Sequence, residues 1–396
     1  MKVLIAAASF ASNISGVQRH ALNLARCLLL LPEISELHLV VAPWQRAFVD
    51  AAGLPADRRL RIQSADIRPG SLSRNLWSYR HLPELAAQLR VDLVHLSFPT
   101  PLKASAFNCP TVVTLHDMYP YEIPMNFGFP KFVFNRTVLC QCLRAVNAIA
   151  CVSEATRLRL KQYTAPAIWR KAIHIPNCVE TPPVPSGQPP IPDWDGEPFL
   201  LCVAQHRRNK NITTLIRAFD RLRRFGWIKA GWKLLVVGIR GPETSRLHRL
   251  VRAHGLDGSV RFLEGLSEPD MQWCYRNCEV LVAPSLTEGF GLPVAEGLLA
   301  GCRVVCSDIP AHREIAEGQC RFVNLRDKPA ETLAAVVADA FNQPKRRPIL
   351  LPRFSAPVLA PQYLSIYSRL IHSAAPEQAT TAASSIGLLA SERQPL

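Results

Sequence analysis

At 396 residues the chain is longer than one hydrophobic core usually organises, so two domains are expected. Its 48% hydrophobic and 19% charged residues exclude a disordered or fibrous chain. A formal net charge of +15 favours acidic partners, whether nucleotide phosphates, anionic lipid or nucleic acid, and leaves the choice among them to the motifs.

The chain opens on a short apolar run, residues 3–8, followed by a polar Ser/Asn loop. That run is too short for a signal-peptide core and reads as a first buried strand. A helical pattern covers 17–31 and another 82–89, while apolar runs of strand length fall at 37–41, 93–96, 111–115 and 148–152. Such alternation is what a mostly parallel sheet with crossover helices produces. Six prolines with Ser186 and Gly187 then crowd residues 182–192. Proline removes backbone donors and disfavours helix in the residue before it, so 182–198 reads as an extended linker. The alternation restarts with strands at 199–203, 233–237, 260–262, 279–283 and 303–306, and helices at 212–225 and 243–254.

The organisation expected is a first domain over 1–181, the linker, and a second domain over 199–350. A closing segment, 351–373, carries an amphipathic helix at 357–372 that is expected to pack back on the first domain. The Ala/Ser/Thr-rich tail, 374–396, is expected to be disordered. The fold class is α/β, with two Rossmann-like doubly wound domains facing each other across a cleft. Ligands of such sheets bind beyond the carboxyl ends of the strands. No stretch reaches the ~18 uninterrupted apolar residues of a spanning helix, so a soluble or peripheral protein is expected. The twelve cysteines are scattered; Cys140 and Cys142 are neighbours, but nothing near them completes a zinc site. They read as reduced, buried, small hydrophobes of a cytoplasmic protein.

The most informative segment is Pro284-Ser-Leu-Thr-Glu-Gly-Phe-Gly-Leu-Pro-Val-Ala-Glu-Gly-Leu-Leu-Ala-Gly301. Gly289 and Gly291 permit a tight turn and close approach to a ligand. Pro293 suits the start of a helix and Gly301 its end. The amides of Phe290, Gly291 and Leu292 then stand at a helix N-terminus, where phosphate oxygens are accepted. Glu288 falls in the loop before the helix and Glu296 in its first turn, two carboxylates able to point into one cleft at different depths. An isolated pair at this spacing would mean little; the complete run of loop, glycines, proline and helix gives it weight.

This run resembles the signature of the retaining GT-B glycosyltransferases, the large family that includes sucrose synthases and bacterial mannosyltransferases. The resemblance extends over about residues 1–345 and is strongest at 199–317. It implies that Glu288 contacts the transferred sugar, Glu296 the ribose of the donor nucleotide, and the amides of Phe290, Gly291 and Leu292 the sugar and diphosphate. In the loop Val203-Ala-Gln-His-Arg-Arg-Asn-Lys-Asn211 the family's lysine falls on Lys210. The family's arginine, which usually follows a glycine, is displaced here: Ala204 and Gln205 occupy those places, and Arg207 is the nearest candidate. A basic loop at that point neutralises a diphosphate. His116, ending the strand 111–115, is implied to lie beside the reacting sugar; paired with Asp117 alone it would be an ordinary loop histidine. Ser15-Gly16 takes the place of the family's two-glycine loop with one glycine. Gly16, and Gly238 after the strand 233–237, are assigned with these residues to the nucleotide-sugar site. Ser153-Glu154 also matches, though Ser153 serves equally as a helix N-cap. Asn177 reads as structural.

The implied reaction transfers a hexose, mannose as first choice, from a GDP- or UDP-sugar to a saccharide or lipid-linked acceptor in bacterial surface polysaccharide synthesis. The anomeric configuration is retained by same-face attack. The Asp-x-Asp at Asp193-Trp194-Asp195 falls in the proline-rich linker rather than at the end of a strand, so metal independence is expected, and no cofactor is implied. A glycoside phosphorylase, a sugar-nucleotide epimerase or a non-catalytic sugar-nucleotide sensor would share the fold. An NAD enzyme would need G-x-G-x-x-G after the first strand, which is missing. No nucleic-acid-binding module is present. In the first domain, Arg68, Arg74, Arg80 and His81 interleave with Leu72, Leu76, Trp77 and Tyr79. Lys131, Arg136 and Arg144 similarly interleave with Phe127, Phe129, Phe132, Phe134 and Val138. Either these apolar residues face the core, or they face an anionic membrane to which the protein attaches peripherally.

Overall fold

The computed structural model describes residues 1–9, 16–180, 189–191, 194–316, 318–345 and 347–374. Ser15, most of the proline-rich run and the tail beyond residue 374 lie outside them. The chain forms two parallel sheets. The first has β1 (Lys2–Ala6), β2 (Glu36–Val41), β3 (Leu60–Ser64), β4 (Leu93–Leu96), β5 (Thr111–Leu115), β6 (Ala148–Cys151) and β7 (Ala172–His174), in the order β3-β2-β1-β4-β5-β6-β7. The second has β8 (Phe199–Val203), β9 (Lys233–Val237), β10 (Val260–Leu263), β11 (Val280–Ala283), β12 (Val304–Ser307) and β13 (Arg321–Val323), in the order β10-β9-β8-β11-β12-β13. The strand order of each sheet reverses once, between β1 and β4 and between β8 and β11. A crevice opens at such a point because the crossover helices leave on opposite faces.

Continuous apolar runs made the central strands, because a parallel strand covered on both faces has no polar side to alternate with. The strands with no such run are β3, β7 and β13, and each ends a sheet. Their residues are mostly half-exposed or exposed, so they carry little hydrophobic pattern. The helix foreseen at 82–89 in fact runs over Ser71–Leu89. Its first half hides its period by exposing Leu72, Leu76 and Tyr79 while burying Arg74, Asn75 and Trp77.

The C-terminal helix, Ala356–Ala374, lies on the first sheet's side of the molecule rather than the second's. Leu359, Tyr363, Ile366 and Tyr367 are fully or nearly fully buried there, in one core with Leu24 and Leu28 of the helix Gly16–Leu29 and with Leu37 and Leu39 of β2. Phe354, just before it, belongs instead to the second sheet's core. All twelve cysteines are free and most are buried. Burial pushes the Cys142, Cys151 and Cys202 thiols up to about 12, so they pack as inert hydrophobes.

Candidate active site

The loops after β8 and β11 meet at the switch point of the second sheet. Lys210 Nζ donates to both oxygens of Glu288, at 2.6 and 2.7 Å. Ser285 Oγ donates to Oε1 at 2.7 Å, and Tyr119 OH, arriving from the first domain, donates to Oε2 at 3.2 Å. Glu288 is not a solvated loop residue: its side chain is 9% exposed and that of Lys210 17%. Burial works against the Glu288 charge, yet Lys210, His312 and the Ser285 hydroxyl outweigh it and hold the carboxyl below its ordinary range. Arg207 stands with its guanidinium over the Phe127 ring, 5.9 Å from the centroid. It joins Lys210 in drawing on Asp117, whose carboxyl burial nevertheless pushes above its ordinary range. Lys210, Arg207, Asp117, Tyr119 and Glu288 therefore form one electrostatic cluster.

Glu296 lies a turn deeper than expected. The signature helix is Leu292–Leu299, so Glu296 is its fifth residue, beyond the first turn. It cannot act mainly on the helix dipole, whose effect falls off within that turn. Both oxygens are engaged: Tyr275 OH donates to Oε2 at 2.6 Å, and Arg19 Nη1 donates to Oε1 at 3.2 Å. Arg19 comes across from the first domain and also donates to Glu268 at 2.9 Å. Gly291 caps the helix at φ +108°, a conformation that favours glycine, and its carbonyl accepts from the Val294 amide at 2.9 Å. The Phe290 side chain turns the other way, buried edge-on against Phe354, so only its backbone faces the helix start. His312 Nδ1 lies 3.0 Å from the Ser307 carbonyl oxygen, and its Nε2 is buried with no hydrogen-bond partner among the described residues. A Cβ at Gly291 would come within 3.4 Å of that nitrogen, so the unpartnered atom stands beside the helix start.

The first domain contributes His116, at the carboxyl end of β5. It does not pair with Asp117. Its Nε2 donates to the Ser97 carbonyl at 2.8 Å, while Asp117 accepts from the Tyr119 amide at 3.0 Å. Burial holds His116 down at about 4, so the ring is neutral at neutral pH. The His20 ring stands edge-on to it at 4.9 Å. Behind that ring runs a fully buried chain of hydrogen bonds whose directions are mutually determined. With His20 Nδ1 donating to Asn177 Oδ1 at 2.8 Å, His20 Nε2 must accept from Thr114 Oγ1 at 2.9 Å. Thr114 then accepts from His95 Nε2 at 2.8 Å, and His95 Nδ1 accepts from Tyr367 OH at 2.5 Å. The chain links the C-terminal helix to the histidine at the cleft with every ring neutral.

Of the other expected residues, Gly16, Gly289 and Ser153 sit at the seam between domains and Gly238 does not. Gly16 begins its helix with its Cα hydrogens toward Leu292; a Cβ there would lie 3.5 Å from Leu292 Cδ1, an ordinary contact. Gly238 is packed so that a Cβ would overlap the Ala204 carbonyl oxygen, which places it under the basic loop rather than in open cleft. At Gly289 a Cβ would overlap the His116 carbonyl oxygen. Ser153 is a helix N-cap, accepting from the Thr156 amide, and also donates across the seam to the Gly289 carbonyl. Glu314 accepts from the amides of Glu154 and Ala155 at the start of that same helix. Arg19, Asp117, Tyr119, Tyr275, Ser285 and His312 were not singled out from sequence. Their roles depend on contacts across the fold, and only Asp117 and Ser285 lie next to motif residues.

Two family models divide the chain between them. Residues 14–182 match Glycosyltransferase Family 4 and residues 188–350 match Glycosyl transferases group 1. Among curated proteins, O-antigen chain mannosyltransferase B of Escherichia coli is 25% identical over 339 residues, 80% of this chain and 84% of that protein. Among solved structures, sucrose-phosphate synthase from Thermosynechococcus elongatus superposes with a TM-score of 0.67 at 17% identity, over 94% of this chain and 99% of that one. Alr3699/HepE of Anabaena, in complex with UDP and glucose, gives 0.61 at 16% identity over 94% and 97%.

Proposed function

The chain belongs to the group 1, family 4 glycosyltransferases of GT-B fold, and from that premise we propose that it transfers a hexose, mannose first, from a nucleoside-diphosphate sugar with retention of configuration. The observation that carries this reading is the buried Lys210–Glu288 pair beside the glycine-capped start of the signature helix. Mannose is favoured by the E. coli relative, an O-antigen chain mannosyltransferase. A UDP-sugar stays in the screen because a structural neighbour holds UDP and glucose. The same relative's name favours a surface-polysaccharide acceptor; a free or lipid-linked form of it, reached from the cytoplasm, completes the proposal.

In this reading the diphosphate docks at the helix start on the amides of Phe290, Gly291 and Leu292, since Pro293 has no N–H and the Val294 amide already donates to the Gly291 carbonyl. An ammonium has three N–H groups. Lys210 commits two to Glu288, which leaves one for a phosphate oxygen. Arg207 adds charge from the same loop. As the sugar–phosphate bond breaks, negative charge grows on the departing diphosphate, and fixed donors that need no reorganisation stabilise it. The acceptor hydroxyl attacks the same face and gives its proton to the leaving phosphate. Neutral His116, whose N–H is given to the Ser97 carbonyl, accepts a hydrogen bond from a sugar hydroxyl at Nδ1 without removing a proton, and His312 Nε2 supplies an acceptor for a sugar hydroxyl. Ribose hydroxyls take the Glu296 carboxylate, which Arg19 must then release.

The test is a donor screen. Purified enzyme is given GDP- and UDP-hexoses with and without oligosaccharide acceptor, nucleoside diphosphate release is followed, and the new linkage is read by NMR. GDP-mannose consumption with an α-linked product is the expected result. Transfer to inorganic phosphate alone, epimerisation of the donor, or no consumption of any donor would each overturn the reading.

A further inference from the structure

Glu296 is held by both domains at once. Tyr275, on the helix Glu268–Asn277 of the second domain, donates to Oε2 at 2.6 Å, and Arg19 of the first domain donates to Oε1 at 3.2 Å. The same second-domain helix begins with Glu268, whose Oε2 accepts from the other terminal nitrogen of Arg19 at 2.9 Å. Its Oε1 accepts from Gln272 Nε2 at 3.2 Å, so Glu268 is itself fixed in place. Glu268, Gln272 and Tyr275 recur at helical spacing. One stripe of this helix therefore holds the Glu296 carboxylate through Tyr275 and the arginine through Glu268.

Arg19 forks between two carboxylates, one terminal nitrogen to each. The bond to Glu268 is the shorter, while Glu296 is the more buried partner, its side chain 12% exposed against 30% for Glu268. The Glu296 carboxylate, with Glu268 adding to it, holds the guanidinium above its ordinary range against the effect of burial, so the arginine stays charged. Ribose hydroxyls that take Glu296 Oε1 thus meet a charged competitor for a largely buried acceptor. Giving up a hydrogen bond between charged groups at such a place lowers affinity on the order of tenfold. Glu268 limits the loss, because Arg19 keeps one of its two partners while it gives up the other.

We infer that Arg19 is a positioning residue that sets the site's affinity for nucleotide: it competes with the ribose hydroxyls for Glu296, and Glu268 retains it when they win. This rests on the ribose contact proposed above for Glu296. Its consequence is product release. Donor and product carry the same ribose, so the competition weakens both. The nucleoside diphosphate left after transfer no longer has the sugar's contacts to hold it, and it is the species that the returning guanidinium displaces. Two plainer roles make different demands. A salt bridge that only ties the domains together has no bearing on the ribose hydroxyls. A cation that only attracts the diphosphate acts alike on nucleotides with and without those hydroxyls.

The experiment is calorimetry on the full-length protein with GDP and UDP, then with the 2′,3′-dideoxy form of whichever binds more tightly. The ratio of the dideoxy Kd to the parent Kd isolates the ribose hydroxyls, since charge attraction for the diphosphate cancels in it. Glu296→Ala should bring the ratio close to one. Arg19→Met, which keeps the stem and removes every donor, should raise it by at least about fivefold. The double variant Arg19→Met/Glu268→Gln, which leaves no unpaired charge on Glu268, should raise it as far. Glu268→Gln alone should lower it, because the arginine then has Glu296 as its one carboxylate. Neither nucleotide binding the wild type, or a ratio untouched by Glu296→Ala, would overturn the ribose contact and this inference with it. A ratio that collapses in Glu296→Ala yet fails to rise in the double variant would overturn the inference alone. So would a ratio that Glu268→Gln leaves level or raises.

Discussion

At the scale of single residues, the Lys210–Glu288 pair joins chemistry to stability. Both side chains are largely buried, so removing one partner strands the other's charge in a poorly solvated place. Lys210→Ala should therefore lower turnover by at least ~100-fold, as lost charge stabilisation usually does. It should also destabilise the second domain, by about 3 kcal/mol. Glu288→Gln in the same chain removes the stranded charge. The double variant should recover much of the lost melting temperature and none of the lost turnover. Thermal melts and nucleotide-release assays on the two variants decide it. A Lys210→Ala enzyme with normal turnover removes the residue from the proposed role, and a double variant no more stable than the single one shows the pair was not electrostatically coupled. Loop position in the sequence had given no reason to expect a stability cost; burial does.

At the scale of elements, the domain seam is made by backbone as much as by side chains. Gly289 brings its Cα against the His116 carbonyl, and its own carbonyl accepts from Thr156 Oγ1 at 3.0 Å as well as from Ser153. Gly289→Ala would drive a methyl into that carbonyl, which neither strand end can relieve without moving the loops that carry His116 and Glu288 apart. Turnover should fall by at least ~10-fold, because small misplacements of reacting groups carry large rate penalties. Gly258→Ala, where a Cβ meets nothing within 4 Å, is the control and should behave as wild type. Near-normal kcat in Gly289→Ala would show that the seam gives way freely. The signature glycines were legible from sequence because their neighbours form a loop-to-helix motif, and the central strands because their apolar runs are unbroken. Arg19 was not legible. Its partners Glu268 and Glu296 lie some 250 residues or more along the chain, and no local pattern marks an arginine that answers a carboxylate in another domain. Tyr119 and His312 escaped for the same reason. Gly238 looked like a ligand contact by its place after a strand, yet its tight fit under Ala204 explains the glycine by packing.

At the scale of the whole molecule, the first domain is held together around neutral histidines. Burial lowers His95 to about 3 and His116 to about 4, and takes His20 well below its ordinary value. In the unfolded chain each would bind a proton near pH 6.5. A histidine whose folded pKa is depressed leaves the native state fully favoured above the unfolded value. Stability is then lost as pH falls below it, because only the unfolded chain takes up the proton. Each of the three contributes up to ~1.4 kcal/mol per pH unit, or about 4 kcal/mol per unit together, between roughly pH 6 and pH 4. Asp117, raised by burial, offsets a fraction of this toward the acid end. Since the hydrogen-bond chain runs from Tyr367 to Asn177, acid should release the C-terminal helix and open the β4–β5 region together rather than fray one edge. Urea midpoints at pH 7.5, 6.0 and 5.0 should fall steeply between the last two, with the loss of C-terminal-helix amide protection tracking the fall. His95→Asn, which removes one of the three titrating groups, should reduce the slope by about a third even where it lowers stability at pH 7.5. Midpoints that stay level from pH 7.5 to 5.0 would mean that the histidines titrate in the native state, and that the neutral chain behind the cleft does not govern the stability of the fold.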